Sequence, residues 1–279
     1  METLKRILVA LIFLPVFFFF VFNTWFNGIL LLTLLLSISI LGAIELYKIY
    51  KAKDIKVNIS LIIFFIFASW IGEFLTHYYP LLIENFRLWT IIILFIILST
   101  IELFKKDFKH SLEKVSAGLL IFIYLGILLP FAYKIKMISP NGAYIVTFIA
   151  IITWSCDTFA YFAGKFFGKH KLNLPVSPNK TLEGFAGGIV CTIGIAFLTR
   201  YLFMDKLNIS LFKLKYFIPV TILIIFFAII GDMIESVFKR SGHVKDSEKV
   251  IPGHGGILDA FDSIIITSTV FYFIMLFTA

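Results

Sequence analysis

Charge is scarce in this sequence: Asp, Glu, Lys and Arg supply 15% of its 279 residues, while 60% are hydrophobic. Soluble domains carry about a quarter charged residues, so a hydrated surface cannot be built from this chain, and cytosolic enzymes and disordered proteins are excluded. Cysteine is rarer still. The two that occur, Cys156 and Cys191, lie inside apolar runs, which leaves neither a disulfide framework nor a zinc-ligand spacing. No G-x-x-x-x-G-K-[ST] run is present, and that absence excludes a standard nucleotide-hydrolysing motor. What the chain has in abundance is phenylalanine, 34 residues, with a mean hydropathy of +0.98. Lipid is the solvent for most of it.

A spanning helix needs about 20 mostly apolar residues. Nine stretches meet that test, near 7–23, 25–47, 58–76, 88–104, 115–134, 143–165, 184–203, 216–239 and 255–278. The runs are continuous and do not alternate, which argues against a β-barrel. The expected class is an all-α polytopic membrane protein of about nine spans. The first stretch follows Lys5 and Arg6 as a signal peptide would, but it is long and has no small-x-small cleavage site, so it reads as a retained helix. With the N-terminus cytoplasmic, 18 of the 25 Lys and Arg residues fall inside and 7 outside, although the basic 200–215 loop runs against the trend. The net charge of +8 therefore matches an anionic inner leaflet and does not call for nucleic acid.

The two halves differ. Residues 1–140 form about five spans whose ionisable members, Glu45, Glu73 and Glu102, sit near helix ends and read as snorkelling or capping carboxylates. Residues 141–279 hold about four spans and two basic loops, 165–183 and 240–254, and gather polar groups at membrane depth. Such groups cost a few kcal/mol each on insertion scales and need a reason. Asp157 lies more than halfway along span six. Asp232, Glu235, Ser236 and Lys239 follow an i, i+3, i+4, i+7 pattern on one face of span eight, and Asp259, Asp262 and Ser263 share a face of span nine. Because a cytoplasmic loop joins those spans, the two stripes belong to one inner-leaflet site.

Converging carboxylates repel unless a cation lies among them. Mg²⁺, which prefers carboxylate and phosphate oxygens, is the economical choice, with room for a second cation. A buried ion-pair network using Lys239 or Arg240, or a transporter's cation relay, are the alternatives. The flanking loops add Pro175, Pro178, Lys180 and Thr181 on one side, and Pro252, Gly253, His254, Gly255 and Gly256 on the other. Glycines at a helix start let backbone N–H groups approach an anion, and Lys and Arg add charge. This is phosphate chemistry beside a metal site. His170 falls in the first loop near the expected phosphate. The 164–168 run GKFFG fits small-xxx-small helix packing, which admits a homodimer without requiring one.

The run SVFKRSGHVKDSEKVIPGHGGILDAFD (236–262) resembles the signature of the bacterial phosphatidate cytidylyltransferases, the CDP-diacylglycerol synthases. DTFAYFAGKFFGKHKL (157–172) and SPNKTLEGFAGG (177–188) are similar to further blocks of that family. The chain departs from its pattern at Ala260, where Arg is usual, and at Glu248, where a small residue is usual. The resemblance implies that CTP and phosphatidate, held at the cytoplasmic face of the inner membrane, become CDP-diacylglycerol and pyrophosphate with Mg²⁺. On that footing Asp232 and Asp259 would hold the metal, with Asp262 and Asp157 as further ligands or orienters. Lys239, Arg240 and Lys245 would bind phosphates, Lys180 with Ser177 would position nucleotide or lipid phosphate, and His254, Gly255 and Gly256 would form a backbone anion cradle. A CTP-dependent polyprenol or lipid kinase is the nearest competing enzyme, and a cation-coupled transporter the competitor from another class.

Overall fold

The computed structural model describes residues 13–76, 78–79, 85–204, 213–242 and 256–278. Its helices are α1 (Phe13–Phe22), α2 (Ile29–Lys51, entered through a 3₁₀ turn at Trp25–Gly28), α3 (Ile59–Thr76), α4 (Phe86–Leu103), α5 (Ser111–Ile138), α6 (Gly142–Phe167), α7 (Leu182–Thr199, continued by a π turn at Arg200–Met204), α8 (Leu214–Ser241) and α9 (Ile257–Thr278). Among the described residues, all but α1 are long and apolar enough to cross a membrane, and α1 is the described part of the first expected span. The chain is a multi-pass membrane protein, as its composition requires. Only two isolated bridges, Lys171–Thr181 and Leu174–Ser177, interrupt the helical architecture among the described residues.

Several helices outrun the hydropathy windows. The fifth extends over 111–138 where apolarity alone gives 115–134, because Ser111, Glu113, Lys114 and Lys136 belong to its end turns. Helical hydrogen bonding continues past the apolar stretch into polar ends that a window average discards. Of the three N-terminal carboxylates, expected to snorkel or cap, only Glu102 serves its own helix end. Glu73 pairs with Arg87 across α3 and α4. Glu102 accepts from Lys105 and from the Ser111 hydroxyl, closing the α4–α5 turn. Glu45 is a cap, though for a helix more than 200 residues away, described below.

Inside α5 the backbone widens into a π-helical segment, Ile123–Leu128, immediately before Pro130. Proline has no N–H to give the carbonyl four residues back, so the Gly126 carbonyl loses its helical donor. Ser69 of α3 replaces it at 2.6 Å, and Ser39 of α2 donates to the Leu125 carbonyl at 2.9 Å. The Trp70 indole donates in turn to the Ser39 hydroxyl. In lipid such replacements are obligatory, since no water reaches an exposed carbonyl.

Close backbone approaches set the C-terminal helices. A Cβ on Gly184 would lie 2.8 Å from the Ala160 carbonyl oxygen, and one on Gly188 would lie 2.9 Å from the Ala160 Cβ, so α6 and α7 touch through small residues. Gly164, of the GKFFG run, faces Gly184 in this contact. Between α8 and α9 the tight point is Gly231, whose added Cβ would meet the Ser263 Cα at 2.8 Å and the Asp262 carbonyl oxygen at 2.9 Å. Backbone atoms cannot yield as a flexible side chain does. Gly231→Ala is expected to destabilise the protein by about 1–3 kcal/mol, checked by unfolding in mixed micelles; an unchanged midpoint would contradict the tight crossing.

Candidate active site

The C-terminal ends of α2, α6 and α8 and the N-terminal ends of α7 and α9 meet at one end of the bundle. The Gly231 crossing places Asp232 of α8 beside Asp262 of α9, and the Ser263 hydroxyl locks it by donating to the Ala228 carbonyl at 2.9 Å. Asp157 of α6 faces the same place: Asp157, Asp232 and Asp262 lie within electrostatic range of one another. Asp262 is 4% exposed, whereas Asp157 is exposed and lines an open-sided cavity between α6, α7, α8 and the 168–181 loop.

That cavity measures about 470 Å³ and is walled by Asp157, Tyr161, Ser177, Asn179, Lys180 and Asp232, among others. Its size falls in the range of small-molecule sites. The loop 168–181 forms one wall. It is drawn into a hairpin by Leu172 donating to the Lys180 carbonyl and Leu182 donating to the His170 carbonyl, both at 2.9 Å. Thr181 caps α7 by accepting from the Gly184 N–H at 3.1 Å. Glu183, in the first turn, accepts from the Lys169 and His170 amides and lies 2.6 Å from His170 Nδ1. The His170 ring is thus engaged by Glu183. Arg240 Nε donates to the Val176 carbonyl at 3.2 Å and ties α8 to the loop.

Two lysines bridge the carboxylates. Lys180 is bonded to Asp232, joining the loop to α8. Lys239 is bonded to Glu235 one turn earlier and to Asp259 on α9. The buried ion-pair alternative is therefore present in part: Lys239 does neutralise Glu235, but the partner of Asp232 is Lys180. Five carboxylates (Asp157, Asp232, Glu235, Asp259 and Asp262) face these two lysines, a formal surplus of three negative charges. The donors are all hard oxygens, the chemistry a divalent cation requires. Among the described residues no three of them close around a common point as a metal cage does. Lysine ammonium groups stand between the carboxylates instead.

The start of α9 differs from the sequence expectation. Gly256 was expected to offer its N–H to phosphate, but that N–H donates to Asp259 Oδ2 at 2.9 Å. The next two amides, Ile257 and Leu258, donate to the Glu45 carboxylate at 2.7 and 3.1 Å. Carboxylates thus already satisfy the N-terminal donors of α9. His254, Gly255 and Lys245 lie outside the described residues. Ala260 packs partly buried against the core, and its carbonyl accepts from the Trp154 indole at 3.0 Å.

Sequence reasoning missed Glu45 as part of this end of the molecule. Its position near a helix end signalled a cap without saying of which helix. It also missed Tyr124, whose ring packs on Phe238 at 5.5 Å and whose hydroxyl lies within electrostatic range of Asp262, Glu235 and Asp232. The signal available was the Gly126–Pro130 pairing, which breaks regular helix just after it.

Comparison with known proteins places this geometry in context. A family model described as the cytidylyltransferase family matches residues 4–278. A phosphatidate cytidylyltransferase of Staphylococcus haemolyticus is 32% identical over 262 residues, 94% of this chain and 93% of that protein. The phosphatidate cytidylyltransferases of Staphylococcus saprophyticus and Bacillus subtilis are 41% and 39% identical over shorter matches, which take in 61% and 55% of both chains in each pair.

Proposed function

This chain belongs to the cytidylyltransferase family, and we propose that it joins CTP to phosphatidate, giving CDP-diacylglycerol and pyrophosphate at the bilayer surface. The observation that carries the reading is the pair of lysine–carboxylate bridges, Lys180–Asp232 and Lys239–Asp259, at one end of a membrane bundle beside a cavity of about 470 Å³. A cavity at that end serves a substrate whose phosphate is polar and whose acyl chains remain in lipid.

The reaction brings two polyanions together. A phosphate oxygen of the lipid attacks the α-phosphorus of CTP in line, and the bond from that phosphorus to the bridging oxygen breaks as pyrophosphate leaves. The attacking oxygen is already ionised, so no covalent enzyme intermediate is needed. The protein's tasks are positioning and charge compensation. Lys180 and Lys239 exchange a carboxylate partner for a phosphate oxygen as the substrates enter, and Arg240 and Ser177 hold the loop that forms the wall. Lys245, His254, Gly255 and Gly256 belong to the same phosphate-binding proposal, with Gly256 free to serve only if Asp259 releases its N–H.

Once the lysines turn toward phosphate, Asp232, Asp259, Asp262 and Asp157 are the oxygens that would hold Mg²⁺, with a second cation accommodated by the remaining surplus charge. A bound Mg²⁺ supplies charge neutralisation and orientation of the phosphates. The active site then faces the cytoplasm and the protein resides in the inner membrane, consistent with the positive-inside count. A homodimer is part of the same proposal, but through a surface other than the small-residue face of α6, which α7 of the same chain occupies.

The test is release of pyrophosphate and CDP-diacylglycerol from purified protein in detergent, with CTP and phosphatidate, in Mg²⁺ and in EDTA. Equal amounts of both products are expected, with activity falling at least about a hundredfold in EDTA. Release of CDP with a newly phosphorylated lipid would replace this reading with that of a lipid kinase. CTP failing to bind would reopen the transporter.

A further inference from the structure

We infer that a second pocket, at the end of the bundle away from the acidic site, binds the phosphate of an anionic ligand, either a lipid head group or the free ion. The pocket has no part in the proposed cytidylyl transfer, and binding there does not depend on that reaction.

The pocket measures about 180 Å³ and is lined by Glu73 and Thr76 of α3, Tyr133, Lys134 and Met137 of α5, and Tyr272 of α9, among others. Along α9, Tyr272 lies about 20 Å beyond Asp259, at about 1.5 Å per residue, so the two sites are separate. The volume is below that of drug-sized ligands; it suits a head group and is too small for a nucleotide. In the proposed orientation this end lies in the outer leaflet, among lipid head groups.

Positive charge exceeds negative there. Arg87, at the start of α4, pairs with Glu73 and neutralises the carboxylate in the wall. Lys134 has no ion pair or hydrogen bond among the described residues. Its ammonium lies over the rings of Phe131 and Tyr272, 5.8 and 5.4 Å from their centroids. The Arg87 guanidinium lies over the same Phe131 ring at 4.9 Å. Two cations thus share one ring and one carboxylate, a formal surplus of one positive charge among the described residues. Aromatic faces compensate an ammonium only in part, and an ionisable group at membrane depth calls for a partner. An anion of one negative charge closes the balance, and a phosphodiester is such an anion.

The other polar groups nearby are committed elsewhere. The Tyr133 hydroxyl donates to the Asn27 carbonyl at 2.7 Å, and that of Thr76 to the Gly72 carbonyl at 2.7 Å. Lys136 donates to the Asn23 and Phe20 carbonyls at 2.5 and 3.4 Å, closing the C-terminal end of α1. What remains is the Lys134 ammonium, the Tyr272 hydroxyl, unpartnered among the described residues, and the guanidinium N–H groups that Glu73 does not use. Charged nitrogen donors of this kind make the strong bonds to phosphate oxygens. A lysine that only snorkels extends its ammonium into water, whereas Lys134 stays over two rings beside the pocket.

The test uses the full chain in a neutral detergent. Its thermal midpoint is titrated with dioctanoyl phosphatidylglycerol and, separately, with inorganic phosphate, since binding to the folded state raises the midpoint. The parent should be stabilised, and Lys134→Met should need at least about tenfold more ligand for the same rise, the loss of one charge-assisted contact. Tyr272→Phe should need about fivefold more, the loss of one hydrogen bond, and Lys134→Arg should stay near the parent. Lys180→Met, at the acidic end, should keep the full response. Stabilisation by phosphatidylglycerol alone identifies a lipid head group as the ligand, and an equal response to inorganic phosphate identifies the free ion. Should Lys134→Met not fold, Tyr272→Phe decides, because its ring stays in place. No stabilisation of the parent by either ligand, or titrations unshifted in both variants, would overturn the inference and leave Lys134 a snorkelling cation. A response lost in Lys180→Met but kept in Lys134→Met would place the binding at the acidic end and overturn it equally.

Discussion

Asp232→Asn lowers turnover by about a thousandfold while leaving the fold in place. Asparagine keeps the shape of the side chain but removes the charge that Lys180 engages and that sits between Asp157 and Asp262. Groups aimed at developing charge in an enclosed site contribute about a hundred- to a thousandfold each, and Asp232 carries two such tasks, holding Lys180 and serving as a cation oxygen. The stability change is small by comparison. Both side chains of the Lys180–Asp232 pair are about 30% exposed, so solvent screens it to within about 1 kcal/mol. Measuring pyrophosphate release alongside the unfolding midpoint separates the two effects. Turnover within tenfold of the parent would remove Asp232 from the centre of the site.

Glu45→Ala produces the largest loss of stability, about 3 kcal/mol. The carboxylate is 1% exposed and accepts from two amides of the first turn of α9. A hydrogen bond to a charged group contributes about 1.5–3 kcal/mol, and its loss here leaves two buried donors unpaired beside the positive end of a helix. Glu45→Gln retains one carbonyl acceptor and falls between the two. Because the same turn presents Asp259 and leads directly into the turn that carries Asp262, activity should decline with stability, and the decline should be recovered only in part by Gln. Chemical unfolding in bicelles gives the magnitude. A loss below 1 kcal/mol would mean that water or another group already satisfies those amides.

Much of this molecule was legible before any coordinates. Apolar run length located the spans to within a few residues, because the bilayer imposes one length on every crossing segment. The i, i+3, i+4, i+7 spacing put Glu235 and Lys239 on one face, and they are bonded to each other. The direct connection of α8 to α9 on one side of the membrane put Asp232 and Asp262 at one end, and the glycine crossing at Gly231 brings them together. The C-terminal motifs carried the family. Lys180 lies 52 residues from Asp232, and only the 168–181 hairpin reveals that they are partners.

Local chemistry and chain-wide composition were thus determined by the sequence alone: the solvent, the helices, the stripes on their faces, and the kind of side chain each stripe presents. Each of these depends on residues a few positions apart, or on totals, and both can be read along a line. Tertiary structure alone decided which carboxylate meets which donor. Glu45 caps a helix 212 residues away, the Gly256 amide is spent on Asp259, and Asp232 takes Lys180 as its partner and not the lysine on its own helix. A hydrogen bond falls away within a fraction of an ångström of its best length. The crossing of two helices, set by which small residues meet, therefore settles partnerships that no spacing along the sequence encodes.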